Sequence, residues 1–242
     1  MTPSRFCKSI IFTIFLLAGG SVLAMDQEMR SIEEIQVRKQ TEARFPGSMR
    51  VIGIKDGSVS LVVEIDRTGA LQDIFVLQSS RKAFTKSALK SLAEWEFSPA
   101  RCDGQAIDSS IQIDLTFEID QKLKWQVQSP MAASQARTHS DGSPIQTAPF
   151  NSLDQIPFPI EIVEPESSPE GQATIEFYID ESGTVRCPRF TESTSIAFGQ
   201  LMLDSVNKWK FEPPMLAGVE TNTMVRQVFT FEDGRLTASD LN

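Results

Sequence analysis

Few side chains in this sequence have the types and spacing that covalent chemistry requires. Ser79-Ser80, Asp66 and Asp103 offer hydroxyl and carboxyl groups, but His139 is the only histidine of the chain and stands in a polar stretch. A Ser-His-Asp or Cys-His set cannot be assembled from these residues, and no glycine loop of the phosphate-binding kind is present. The sequence predicts a protein that is not an enzyme and has no catalytic residues.

The cysteines allow a disulfide but not a metal centre. Cys7 lies in the amino-terminal segment, so that Cys102 and Cys187 remain if this segment is removed. Two cysteines can pair in an oxidising compartment, and we expect a Cys102–Cys187 disulfide, with two thiols as the alternative. Because no cysteine or histidine lies at the close spacing of a zinc site, no metal and no cofactor are expected.

The amino terminus predicts export. Arg5 and Lys8 precede an apolar run, and Gly19-Gly20 and small residues up to Ala24 follow it, which is typical of a signal peptide covering residues 1–24. The uncharged run from residue 10 to residue 25 is shorter than the about 20 residues that span a bilayer. We therefore expect cleavage after Ala24 and a periplasmic protein, with an inner-membrane anchor facing the periplasm as the alternative.

Net charge limits the partners. The formal charge is −9, and both nucleic acid and anionic lipid attract clustered Lys and Arg instead. We expect no nucleic-acid partner.

The chain resembles itself at an offset of 114 residues. Between residues 57 and 118, 16 of 62 positions are identical to those 114 further on. They include Trp95 with Trp209, and Phe45-Pro46 matches Phe158-Pro159 at an offset of 113. Self-similarity at one fixed offset indicates a repeated structural unit.

Each copy predicts strands and one helix. Residues 58–65 alternate apolar and polar side chains as a half-buried strand does, and Asp66 to Gly69 can turn the chain. Ser79 or Ser80 can cap a helix whose apolar residues recur every three or four positions until Pro99. The expected fold class is α+β, with two tandem small modules, each an antiparallel sheet of about three strands packed with one main helix.

The expected domains follow from this pattern. After the signal peptide come a spacer or short helix at residues 25–44, the first module at 45–120, a Ser/Gln/Pro-rich linker at 121–156, the second module at 157–233 and a tail at 234–242.

The ordered motifs of both copies resemble the C-terminal domain of TonB-type energy transducers. In the first copy these motifs are Phe45-Pro46, Gly57, Ile65-Asp66 with Gly69, Ser79-Ser80, the Trp-x-Phe-x-Pro sequence at 95–99, and Gly104. The second copy departs at Thr194 and Pro214. The resemblance implies contact with the periplasmic face of an outer-membrane receptor, one of whose segments adds as a strand to an exposed sheet edge.

By this resemblance the candidate binding edges are residues 107–117 and 224–231. The candidate binding residues are Ile107, Ile111, Gln112, Ile113, Asp114, Leu115, Thr116 and Phe117 in the first copy and Met224, Arg226, Val228 and Thr230 in the second. The apolar members of this set also fit a plain core.

The resemblance also implies a membrane helix that carries a polar or ionisable residue and a long Pro-rich spacer, and both are missing here. The run from residue 10 to residue 25 has no ionisable side chain. The about 20 residues before Phe45 reach roughly 70 Å at most, which is too short to cross an envelope from one membrane to the other. We therefore expect a periplasmic TonB-like binding or adaptor protein without its own energy-coupling helix, whose partner is an envelope protein. The alternatives are an inner-membrane-anchored accessory transducer for outer-membrane transport and a purely structural, homodimeric envelope protein.

Overall fold

The computed structural model describes residues 32–119, 123–129, 147–165 and 167–242. The expected signal peptide and most of the expected linker lie outside these residues. Up to residue 129 the strands are β1 (Ile32–Glu33), β2 (Gln36–Lys39), β3 (Asp56–Ile65), β4 (Leu71–Ser79), β5 (Glu96–Ser98), β6 (Ala100–Cys102), β7 (Gln105–Ile107), β8 (Ser109–Glu118) and β9 (Lys124–Gln128), and the helices are α1 (Gly47–Val51) and α2 (Lys82–Leu92). From residue 147 onward the strands are β10 (Thr147–Ala148), β11 (Pro159–Glu161), β12 (Gly171–Ile179), β13 (Val185–Ser193), β14 (Lys210–Phe211), β15 (Met215–Leu216), β16 (Val219–Glu220), β17 (Asn222–Glu232) and β18 (Arg235–Ala238), with α3 (Ile196–Val206) and a 3₁₀ turn at Phe150–Ser152.

The fold is mixed α+β, with more strands than helices. The first sheet has the order β4-β3-β8-β9, so that it has four strands and not about three. In the second sheet β13 pairs with β12 and β12 pairs with β17, while β10 and β18 both pair with β17. The element bounds keep one spacing, because β4 and β13 begin at Leu71 and Val185, and α2 and α3 at Lys82 and Ile196, each 114 residues apart.

One face of each sheet packs against a helix. The predicted alternation of β3 is confirmed, because Val59, Leu61, Val63 and Ile65 are all buried in the core cluster that holds Phe84 of α2. The opposite faces of the two sheets meet each other. A second buried cluster takes side chains from both sheets, namely Val62, Phe75, Leu77, Tyr178, Cys187 and Met224.

The turn after β3 forms as the sequence predicts. Asp66 Oδ1 accepts hydrogen bonds from the backbone N–H groups of Thr68 and Ala70 at 2.8 and 3.0 Å. Gly69 has φ of +88°, and a Cβ at this position would lie 2.7 Å from Phe97 O. Glycine is required here because the backbone is left-handed and another chain segment approaches closely.

The serines before α2 close the strand pair and do not cap the helix. The N-cap residue of α2 is Arg81, which makes no side-chain cap. Ser80 Oγ accepts from Ser58 N at 2.9 Å and Ser79 Oγ donates to Arg81 O at 3.0 Å. A side-chain cap does form in α3, where Ser195 Oγ accepts from Phe198 N at 3.1 Å.

Strands also form where the sequence predicts none. The short helix offered as one alternative for residues 25–44 does not form in residues 32–44, because β2 pairs there with β5. The expected linker contains β9, β10 and the 3₁₀ turn, and the expected tail contains β18. These segments are short and add to existing strands, so that they need little periodicity of their own.

Candidate binding site

Most candidate residues of the first copy lie on β8. Ile111, Ile113, Leu115 and Phe117 are buried in the core cluster beneath the helices, as a plain core interpretation requires. Gln112, Asp114 and Thr116 occupy the alternating positions, and Gln112 Nε2 donates to Ser60 Oγ at 3.1 Å. Ile107 lies on β7, which pairs with β6 and belongs to neither large sheet.

The premise that β8 is an edge strand is wrong. β8 pairs with β3 over its whole length and with β9 on its other side, where Gln112 is opposite Gln128 and Thr116 is opposite Lys124. The chain returns after β8 and supplies its own fourth strand, which satisfies backbone groups that an edge would leave open.

The second candidate edge is also covered. β10 pairs with Asn222 and Thr223, and β18 pairs with the residues from Phe229 to Glu232. Beyond β18, Arg226 and Asn242 exchange two backbone hydrogen bonds. Met224 points into the cluster between the sheets, whereas Arg226 is exposed.

β9 is the less buried of the two neighbours of β8. All five of its residues are exposed or half-buried, and Trp125 is 38 % exposed. Trp125 stands edge-on to Trp95 with ring centroids 5.4 Å apart, and Val127 is half-buried against the core. Two side chains thus hold β9 against the sheet.

The backbone direction of β8 follows from its register. Ile119 N donates to Lys55 O at 2.8 Å on the β3 side. Because peptide groups alternate between the two sides of a strand, the even-numbered residues of β8 direct their N–H and C=O groups toward β9. The N–H groups of Gln112 and Asp114 are among them.

The predicted disulfide is not formed between Cys102 and Cys187. Cys102 lies in the core cluster beneath the helices, whereas Cys187 lies in the cluster between the two sheets. The two thiols therefore belong to different layers. Burial, followed by the nearby charge of Asp73, raises the pKa of the Cys187 thiol.

A charged junction links the two sheets beside Cys187. Arg186 of β13 donates to both carboxylate oxygens of Asp73 at 2.7 and 2.8 Å, and its guanidinium lies 5.0 Å from the centre of the Phe75 ring. Burial alone would raise the pKa of Asp73, but this hydrogen bond and charge hold it below its ordinary value. Glu64, Asp73 and Cys187 place ligand-type atoms within 4.8 Å of one another, with Asp73 already bound by Arg186. Sequence reasoning missed this junction, because its residues are about 110 positions apart.

A second missed feature is an apolar strand in the second half. Ile156, Phe158, Ile160 and Ile162 are all at least half exposed. The sequence signal is the alternation of large apolar residues with Pro and Glu from residue 156 to residue 162, of which the prediction uses only the Phe-Pro motif. The two Phe-Pro pairs take different places, since Phe45 stacks edge-on against Phe84 at 5.4 Å and Phe158 faces solvent.

Comparison with known families supports part of the resemblance. Residues 42–119 match the family described as Gram-negative bacterial TonB protein C-terminal. The match begins before α1 and ends with β8, so that β9 and the whole second half lie outside it. This region is thus similar to a domain of periplasmic, envelope-associated proteins. No curated protein matches the chain.

Among the described residues, no helix has both the length and the apolar character that crossing a membrane requires.

Proposed function

We propose that the protein is a periplasmic adaptor of the cell envelope that binds an extended protein segment through the backbone of a sheet edge. We further propose that residues 157–233 form a second TonB-C-like module and that the protein lacks an energy-coupling helix of its own. The partner is an envelope protein, such as a segment of an outer-membrane receptor. The match over residues 42–119 and the 114-residue spacing of β4, β13, α2 and α3 support this proposal.

The observation that carries the binding mode is the position of β9. β8 is the last strand of the matched region, and the strand that covers it comes from outside that region and has no fully buried residue. A partner segment can pair with the same N–H and C=O groups if it replaces β9. In this mechanism β9 protects the edge in the absence of a partner.

Two proline variants test the mechanism, because they have opposite expected effects. Gln126 is opposite Asp114, so Gln126→Pro removes a β9 donor that faces β8 and releases the covering strand. Gln112→Pro removes a donor from β8 itself, which both β9 and a partner need. Capture of envelope proteins from solubilised outer membranes should rise about fivefold or more with Gln126→Pro and fall with Gln112→Pro.

The matched controls are Gln126→Ala and Gln112→Ala, which keep the backbone N–H groups. Both should capture the same partner at the wild-type level, and circular dichroism must show all four variants folded. Equal capture by folded Gln126→Pro and wild type would reject the replacement of β9. Localisation is tested separately: an intact mass that retains Met1, in a product that fractionates with the inner membrane, would favour the anchored accessory transducer.

A further inference from the structure

The most prominent exposed apolar surface in the described residues lies on and beside β11. Four large side chains at alternate positions, Ile156, Phe158, Ile160 and Ile162, are 65, 67, 67 and 50 % exposed. The four stand at every second position along the chain, and a bulge interrupts the pairing of β11 with β14 between Pro159 and Glu161. We call these four side chains the β11 stripe.

The first half of the chain contains the same strand without the stripe. Trp95 Nε1 donates to Thr41 O at 2.9 Å, and Trp209 Nε1 donates to Val163 O at 3.0 Å. Val37 is opposite Phe97 just as Pro159 is opposite Phe211. Residues 34–41 and 156–163 therefore occupy equivalent positions, and their patterns of burial are identical.

The exposed positions differ in chemistry between these equivalent strands. Those that correspond to the β11 stripe are all polar in the first half, namely Glu34, Gln36, Arg38 and Gln40. The fold itself does not need apolar residues at these positions. Solvent-facing Ile and Phe side chains in a row are typical of an interaction surface.

The backbone beside the stripe is not suited to strand addition. Phe158 O accepts from Glu212 N at 2.8 Å, so that residue 158 directs its peptide groups toward β14. Pro157 and Pro159 are thereby placed on the opposite side, where neither can donate a hydrogen bond. Binding at this surface must use side chains, unlike the edge mechanism proposed for β8.

Charge and area indicate the kind of partner. Glu161, Glu164 and Glu212 are exposed beside the stripe, and the exposed Lys210 of β14 lies opposite Glu161. Carboxylates outnumber ammonium groups among these neighbours, which favours a basic partner over a second copy. The four side chains expose on the order of 500 Å², which is less than the roughly 800 Å² per partner of a stable dimer.

We propose that the β11 stripe binds an extended amphipathic segment of a partner protein, in which apolar residues alternate with Lys or Arg. The apolar side chains pack on Phe158 and Ile160, and the basic side chains approach the carboxylates beside them. This inference does not depend on the β8 mechanism, because neither the surface nor the type of contact is shared.

A short synthetic peptide that alternates leucine and lysine is the probe. Its affinity for the exported full chain is measured by fluorescence anisotropy at 150 mM salt, beside a leucine–glutamate peptide and a serine–lysine peptide. We expect the leucine–lysine peptide to bind at least tenfold more tightly than either of the others. The double variant Phe158→Ser/Ile160→Ser should weaken that binding at least tenfold, because two apolar anchors are lost.

The matched control is Val51→Ser/Ile52→Ser, which removes two side chains that are 87 and 60 % exposed elsewhere. It should bind the leucine–lysine peptide as wild type does. No binding of this peptide, or equal weakening by both double variants, would overturn the proposal. A wild-type dimer in sedimentation experiments that Phe158→Ser/Ile160→Ser converts to a monomer would also overturn it, because a second copy would then cover the stripe.

Discussion

At the scale of single residues, the turns after β3 and β12 combine a carboxylate with a glycine. Asp180 Oδ1 accepts from the backbone N–H groups of Ser182 and Thr184 at 2.9 and 3.0 Å, as Asp66 does in the first turn. Both carboxylates are therefore used by the backbone. Gly183 has φ of +80°, and a Cβ on it would lie 1.9 Å from Phe211 O.

A side chain at Gly183 would meet two costs, the left-handed backbone and the close approach of Phe211, and a matched substitution separates them. Gly218 has φ of +75° but nothing within 4 Å of an added Cβ. Gly218→Ala should lower the free energy of unfolding by about 1 to 2 kcal/mol, which is the cost of a left-handed backbone alone. Gly183→Ala should lower it by about 3 kcal/mol or more, since the Phe211 backbone must also move. Urea denaturation measures both, and equal losses would show that the close approach costs nothing.

The sequence allowed the roles of the turn residues to be predicted, but not those of Ser79 and Ser80. Turn chemistry is local, because Asp66 bonds to residues two and four positions away. The partner of Ser80 is Ser58, which is 22 positions distant and adjacent only after β3 and β4 pair. Ser caps helices and also forms hydrogen bonds to the backbone of a neighbouring strand, so that sequence alone could not distinguish the two roles.

At the scale of elements, β9 depends on one aromatic contact. Trp125 packs edge-on against Trp95, and such pairs contribute about 0.5 to 1.5 kcal/mol beyond the area they bury. Trp125→Ala should therefore accelerate hydrogen exchange at the amides of β9 about tenfold. The amides of β3, which lies between β4 and β8, should exchange as before.

Val127→Ala is a comparison within the same strand, and it should have a smaller effect because no aromatic contact is lost. If Trp125→Ala accelerates exchange in β3 as much as in β9, the covering strand opens only with the whole sheet. Replacement of β9 by a partner would then require global unfolding.

The long strands and both long helices could be predicted because each contains several repeats of its own apolar–polar pattern. β9 and β11 could not, because they have five and three residues. An alternation this short is common in loops, and only a neighbouring strand identifies it as a strand. The binding edge was misassigned for the same reason, since the role of β8 depends on whether β9 exists.

At the scale of the whole molecule, the second sheet supplies a charge that the first sheet needs. Glu64 of β3 lies directly opposite Asp73 of β4, and like charges in this position destabilise a sheet. Arg186 reaches Asp73 from the second sheet. The packing of the two sheets thus compensates a repulsion within one of them, which no pattern within a single copy could reveal.

The remaining repulsion makes stability depend on pH through Glu64. Burial, then the charges of Asp73 and Asp108, raises the pKa of Glu64 from 4.5 to about 7, while Arg186 opposes the shift. Between these values the folded chain keeps a proton on Glu64 that the unfolded chain loses. The contribution of Glu64 to the free energy of unfolding is therefore fully present below pH 4.5 and is lost as pH rises through 7.

Glu64→Gln cannot ionise and should be more stable than wild type by about 1 to 2 kcal/mol at pH 8, but nearly equal to it at pH 5. Urea denaturation of both proteins at the two pH values measures this difference. A gain for Glu64→Gln that is the same at pH 5 and pH 8 would mean that Glu64 is already ionised at pH 5, and that the junction between the sheets does not hold its proton.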